Sequence, residues 1–194
     1  MKLKTLFFVL LSLAMMSVSA QKFKKGSVDF LKNESKVNLV FDFNGLTLDG
    51  ASEASYIKER MADENTPEEA QDWKNKWEGE WRTKFKNTFT KYCNDELKNL
   101  VVSQSSPESN YTILVKIIDI DPGNFAGPFS NPSKLKADFL IFKTDDMKNY
   151  LETLSLNKIY NPWSATQPVE YLRIEMGFGE LGKTLGQILD KALK

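Results

Sequence analysis

Apolar and polar residues alternate from Val37 to Phe43. Val37, Leu39, Phe41 and Phe43 fall on one side, Asn38, Val40 and Asp42 on the other, the two-residue period of a strand with one buried face. A shorter β-rich run, Val28 to Leu31, precedes it across the turn-forming Lys32-Asn33-Glu34-Ser35. Two longer runs follow, Tyr111 to Ile120, closed by Pro122-Gly123, and Lys136 to Phe142. A loop rich in Gly, Pro, Asn and Ser joins them, so they are expected as antiparallel neighbours. Between Asn149 and Ile159 the pattern is mixed, and a strand is placed at Glu152 to Leu156.

Elsewhere the period lengthens to three and four. Ser52 is a candidate cap for a helix from Glu53 to about Met61. Thr66-Pro67-Glu68-Glu69 is a stronger start, with a capping hydroxyl, a proline at the first helical position and a glutamate three residues after the cap. From there aromatics recur at every fourth position: Trp73, Trp77, Trp81, Phe85 and Phe89. Each four-residue step overshoots a helical turn by about 40°. Trp81, Phe85 and Phe89 therefore share a face, whereas Trp77 and Trp73 drift about 80° and 120° round from Phe85.

A single helix from Thr66 to Asn99 would be about 51 Å long at 1.5 Å per residue, while a compact chain of this size is about 40 Å across. The helix must overhang or break, and Gly79 is the expected place. Two readings follow for Trp77-Glu78-Gly79-Glu80-Trp81. In one, Trp73 and Trp77 stand on an overhang and stack on a sugar or other flat ligand while Glu80 accepts hydrogen bonds. In the other they fold back as core.

The C-terminal segment keeps a three-four spacing at Tyr171, Ile174, Phe178, Leu181, Leu185, Ile188 and Ala192, an amphipathic helix. Gly179, Gly182 and Gly186 lie together on one flank, smooth enough to receive the aromatics of the long helix or a partner. Self-association through Gly182 and Gly186 would make a homo-oligomer.

Composition narrows the chemistry. The chain of 194 residues has 26 basic and 26 acidic residues in mixed order, which gives no electrostatic footprint for nucleic acid. It contains no histidine, so histidine triads are excluded and the usual zinc-binding nitrogen is missing. No catalytic residue, metal site or cofactor is assigned. Glu78 with Glu80, Asp119 with Asp121, and Asp145 with Asp146 are the carboxylate pairs a glycosidase-like reaction would draw on. Cys93, the one cysteine, lies on the apolar side of the long helix and reads as a buried thiol.

Residues 1–20 join two lysines, an apolar run from Leu6 to Met16 and the small residues Val18-Ser19-Ala20, the form of a signal peptide. The expectation is export to the periplasm or beyond, with residues 21–194 as one domain and no transmembrane segment.

The segments FLKNESKVNLVFDFNG, YTILVKIIDIDPG and LGKTLGQILDKALK together resemble a group of small secreted proteins of Gram-negative, gut-type bacteria. That resemblance implies an envelope or extracellular setting and transfers no catalytic residue. The expected fold is α+β: an antiparallel sheet of four or five strands with the long helix and the C-terminal helix packed on one face. The expected function is non-catalytic binding of another envelope protein or a glycan. The alternative is a carboxylate-dependent hydrolase acting on surface polysaccharide.

Overall fold

The computed structural model describes residues 23–194. The expected signal peptide lies outside the described residues. Seven strands form one mixed sheet: β1 (Lys36–Asp42), β2 (Thr47–Leu48), β3 (Ala51–Ser52), β4 (Val101–Ser103), β5 (Tyr111–Asp121), β6 (Lys134–Lys143) and β7 (Asp146–Ile159). The helices are α1 (Glu53–Ala62), α2 (Pro67–Asn75), α3 (Arg82–Glu96) and α4 (Glu170–Ala192). A π-helical turn, Lys76–Trp81, runs from α2 into α3 without a break.

The fold is α+β, but the sheet is not the antiparallel array of four or five strands that local pattern suggests. Strand β5 is its centre. Along one edge it pairs in parallel with β1, from Asn38↔Thr112 to Asp42↔Lys116, and then with β2 at Thr47↔Asp119 and Leu48↔Ile120. Along the other edge it pairs antiparallel with β6, and β6 with β7. Strand β4 adds in parallel outside β1, and β3 turns back antiparallel on β2. The parallel pairs arise because the α1 to α3 crossover returns the chain to the end from which β1 started.

The expected strand at Val28 to Leu31 is not formed; Asp29–Leu31 is a short 3-10 turn with Val28 at its N-cap. The Ser27 hydroxyl donates to the Asp29 carboxylate at 2.5 Å and accepts from the Asp29 amide at 3.0 Å, so the local bonds compete with pairing to a neighbour. Its apolar residues are still used: Val28 and Leu31 are buried.

Both expected helix starts form as read. Ser52 accepts from the Ser55 amide and Thr66 from the Glu69 amide, each at 3.2 Å. The alternation in β1 holds in part: Val37 and Leu39 are buried and Val40 is exposed, but Asn38, expected on the open side, is buried as well, where its side-chain amide donates to the Thr112 hydroxyl at 3.2 Å. Across the sheet Ile113, Val115, Ile117, Ala137, Phe139, Leu154 and Leu156 continue this inner face, joined in one core with Phe85, Phe89, Phe178 and Leu181 of α3 and α4. A register shift after Ile117 lets Ile120 return to the buried side.

Gly79 lies inside the π-helical turn, so the irregularity expected there is a change of winding and not a break. Its i→i+5 bonding takes more residues per turn. A four-residue step there falls short of a full turn instead of overshooting it, which reverses part of the drift of the stripe. The result is a chain of rings: Trp73 stacks on Trp77 with centroids 5.8 Å apart, Trp77 meets Phe85 edge-on at 6.3 Å, and Phe85 stacks on Phe178 of α4 at 5.0 Å. Trp81 turns to stack on Tyr171 at 4.9 Å.

Candidate functional site

The residues singled out from the sequence are dispersed, and most of them are structural. Trp73 is 8% exposed and Trp77 1%, so the overhang reading is replaced by the core one. The Trp77 indole N–H donates to Glu53 at 2.8 Å, and Glu53 also pairs with Arg82. Glu80 is exposed and pairs with Lys84 one turn along at 2.7 Å.

Gly182 and Gly186 are buried against α3, where the backbones approach closely: a Cβ on Gly182 would lie 2.2 Å from the Phe89 carbonyl oxygen, and one on Gly186 2.5 Å from that of Cys93. The flank receives the long helix, as the spacing suggested: its main chain at Gly182 and Gly186, and the edge of the Tyr92 ring at Gly179. At Gly182 and Gly186 that surface is filled from within.

Most of the paired carboxylates are likewise committed elsewhere. Asp119 accepts from the Thr47 hydroxyl, Asp121 pairs with Lys134 at 2.8 Å and accepts from the Gly123 amide, and Asp146 holds Asn149 in a turn. Glu78 is exposed. Cys93 is fully buried, and burial, with Glu96 adding to it, pushes its thiol up to about 12. Among the described residues no group of three or more His, Cys, Asp or Glu is placed to hold a metal, and no helix is long and apolar enough to cross a membrane.

Four of the six exposed aromatics among the described residues stand on two other segments, the others being Tyr92 and Tyr150. The β5 to β6 loop, Pro122 to Ser133, and the loop from Tyr160 to Val169 contain no charged residue, in a chain that is 27% charged. On the first stand Phe125, 52% exposed, and Phe129, 80% exposed; on the second Tyr160, 49%, and Trp163, 73%.

Arg173 of α4 ties the two loops together. Its guanidinium is buried, donating from Nε to the Pro122 carbonyl at 3.1 Å and from Nη2 to that of Gly123 at 3.4 Å. From Nη1 it reaches the carbonyls of Gln167 and Pro168 at 3.1 and 2.9 Å. A second tie runs from the Ser133 amide to the Ser164 hydroxyl at 3.1 Å. Charge-assisted bonds of this kind to four carbonyls fix loops that have few apolar contacts of their own.

Beside the second loop, α3 and α4 leave a groove of ≈ 330 Å³. Tyr92 forms one wall, half-exposed, with its ring edge against Gly179, where a Cβ would sit 3.3 Å from it. Leu172 and Met176 supply apolar surface, Asn161 and Gln167 come from the loop, and Glu175 and Glu180 from α4. A larger depression of ≈ 570 Å³ lies by Asn110 and Thr144, and two of its polar side chains are already engaged. Asn110 donates to Glu34 at 3.1 Å, and Thr144 bonds to Thr112 at 2.9 Å.

Periodicity gave no hint of this site, because it lies in segments with no period. The signal that was available is compositional: two uncharged stretches rich in aromatics, Asn, Ser and Pro, each flanked by charged residues. No protein-family model, curated protein or solved structure matches the chain.

Proposed function

We propose that this chain is an exported, non-catalytic binding protein of a bacterial envelope or extracellular setting, and that the groove with its two uncharged loops is the surface that meets its partner, another envelope protein or a glycan. The observation that carries this reading is the display of Phe125, Phe129, Tyr160 and Trp163 on loops anchored by the buried Arg173. Exposed aromatics on a rigid support are costly to leave in water and suit recognition. The leader at residues 1–20 supports export, and the absence of histidine supports a role without acid–base chemistry.

The test is retention on isolated bacterial envelopes of the purified protein and of a Phe129→Ala/Trp163→Ala double variant with unchanged melting temperature. The wild type should sediment with the envelopes and the variant should stay in solution; equal retention of both would sink the reading.

The alternative, a hydrolase of surface polysaccharide, draws on Glu175 and Glu180, two carboxylates lining the same groove. It requires release of reducing ends from polysaccharide by the wild type and their loss in Glu180→Gln.

A further inference from the structure

We infer that the groove takes a neutral polyhydroxylated ligand, a short stretch of uncharged glycan, in preference to an amine or an anion. This rests on the binding reading above and adds the class of ligand to it. Its volume of ≈ 330 Å³ is at the small end of ligand sites, which run from about 300 Å³ upward, and suits one or two sugar rings.

Hydrogen-bond bookkeeping selects among ligands of that size. Asn161 accepts from the Trp163 amide through Oδ1 at 2.9 Å, and Gln167 accepts from the Val169 amide through Oε1 at 3.3 Å. Each carbonyl end is thereby engaged within its own loop, and neither NH2 group has a protein acceptor among the described residues. These are two donors held in place by the fold.

The acceptors come from α4. Glu175 takes one bond, from the Thr88 hydroxyl at 2.7 Å, and keeps further lone pairs, while Glu180 has no hydrogen bond or ion pair among the described residues. No lysine or arginine lines the groove.

Three ligand classes meet this arrangement differently. An ammonium group answers the two carboxylates but, having only donors, leaves the two amides to water. A phosphate or uronate has acceptors for the amides but brings its charge beside Glu175 and Glu180, and no cation lines the groove to offset it; the lysines nearby, Lys84 and Lys91, are paired with Glu80 and Asp95. A sugar hydroxyl donates and accepts at once, so a ring with several hydroxyls answers both sets, and its C–H face meets Leu172 and Met176. Lys91 lies over the Tyr92 ring, 4.7 Å from its centroid, so that face of Tyr92 is covered. Trp163 is not among the residues that line the groove; exposed on the loop that supplies Asn161 and Gln167, its ring is free to stack on a ligand that extends beyond them.

The test is titration of the protein, followed by tryptophan fluorescence and calorimetry, with neutral hexasaccharides of glucose, mannose and N-acetylglucosamine, and separately with spermine and with an oligogalacturonate. At least one neutral hexasaccharide should bind saturably, with spermine and oligogalacturonate silent. Trp163→Ala and Glu180→Ala should each weaken binding about tenfold, the loss of one stack or one charged hydrogen bond, at unchanged melting temperature, with Glu180→Gln in between.

Tighter binding of spermine or oligogalacturonate than of every neutral sugar overturns the inference. So does silence of all the sugars; if the Phe129→Ala/Trp163→Ala variant still loses envelope retention, the binding reading survives that result with a non-glycan partner. Equal retention of the variant, with silent sugars, removes both.

Discussion

Two sets of aromatic residues in this molecule have opposite fates. Trp73, Trp77, Phe85 and Phe89 are buried along α2, the π-helical turn and α3, each in contact with another ring, whereas Phe125, Phe129, Tyr160 and Trp163 stand in solvent on two loops. The difference is one of backbone support. A helix places rings on a stripe that a sheet and a second helix can cover, and their burial is a large part of what holds the domain together. Loops held at their bases by Arg173 need no contribution from the rings at their tips. The first set is explained by folding; the second is not, and that is why it marks the candidate surface.

The comparison breaks most sharply if a buried ring is removed. Trp77→Ala should cost about 3–5 kcal/mol in denaturant unfolding, through lost packing and the cavity left among Trp73, Tyr56 and Phe85. A cost within the range of surface substitutions would mean the stripe is not the core described here.

Gly182→Ala is next, at about 1–3 kcal/mol, because the new methyl group meets the Phe89 carbonyl of α3 and the helices must part. An unchanged melting temperature would contradict that close approach.

Alkali sharpens the contrast through titration. Burial raises the Cys93 thiol from its ordinary 9.0 to about 12, and it also raises the Tyr56 hydroxyl, which donates to Glu170 at 2.5 Å in the folded protein. Both groups hold their protons more tightly folded than unfolded, so their stabilising effect is complete below about pH 9 and is lost as pH rises from there. The melting temperature should fall between pH 9 and 11, and the slope should be shallower in Cys93→Ala and in Tyr56→Phe. Parallel slopes in the wild type and both variants would count against this assignment.

The smallest effect on stability belongs to the exposed set. Trp163→Ala should change unfolding free energy by no more than about 0.5 kcal/mol. In variants keeping a single tryptophan, acrylamide should quench Trp163 freely and Trp73 and Trp77 hardly at all. A shielded Trp163 would remove the exposed platform.

What could be read from the sequence was what depends on neighbours along the chain. The caps at Ser52 and Thr66, the alternation at Val37 and Leu39, the glycine flank of α4 and the crowding of aromatics on α2 and α3 are all local patterns, and all appear in the structure. What was not legible depends on partners far away. The direction of β1 beside β5 is settled by the path of three helices, and Val28 to Leu31 has strand-like composition but is closed by Ser27 and Asp29. The placement of Trp77 required the π-helical turn, whose winding no apolar period announces. The candidate site was the least legible, since Arg173 reads as one more polar position on an amphipathic helix until its four carbonyl partners are in place.

The parallel join of β1 to β5 also has a consequence in time. Asn38 meets Thr112 across 74 positions of chain, whereas β5, β6 and β7 are linked by loops and pair with near neighbours. Closing long segments is slower than closing short ones, so the β5 to β7 meander should gain protection in pulsed hydrogen exchange before β1 does; simultaneous protection or the reverse order would refute this. On that order strand β1, made early, would dock late, and through that interval Val37, Leu39 and Phe41 would wait in water for a sheet that begins at Tyr111.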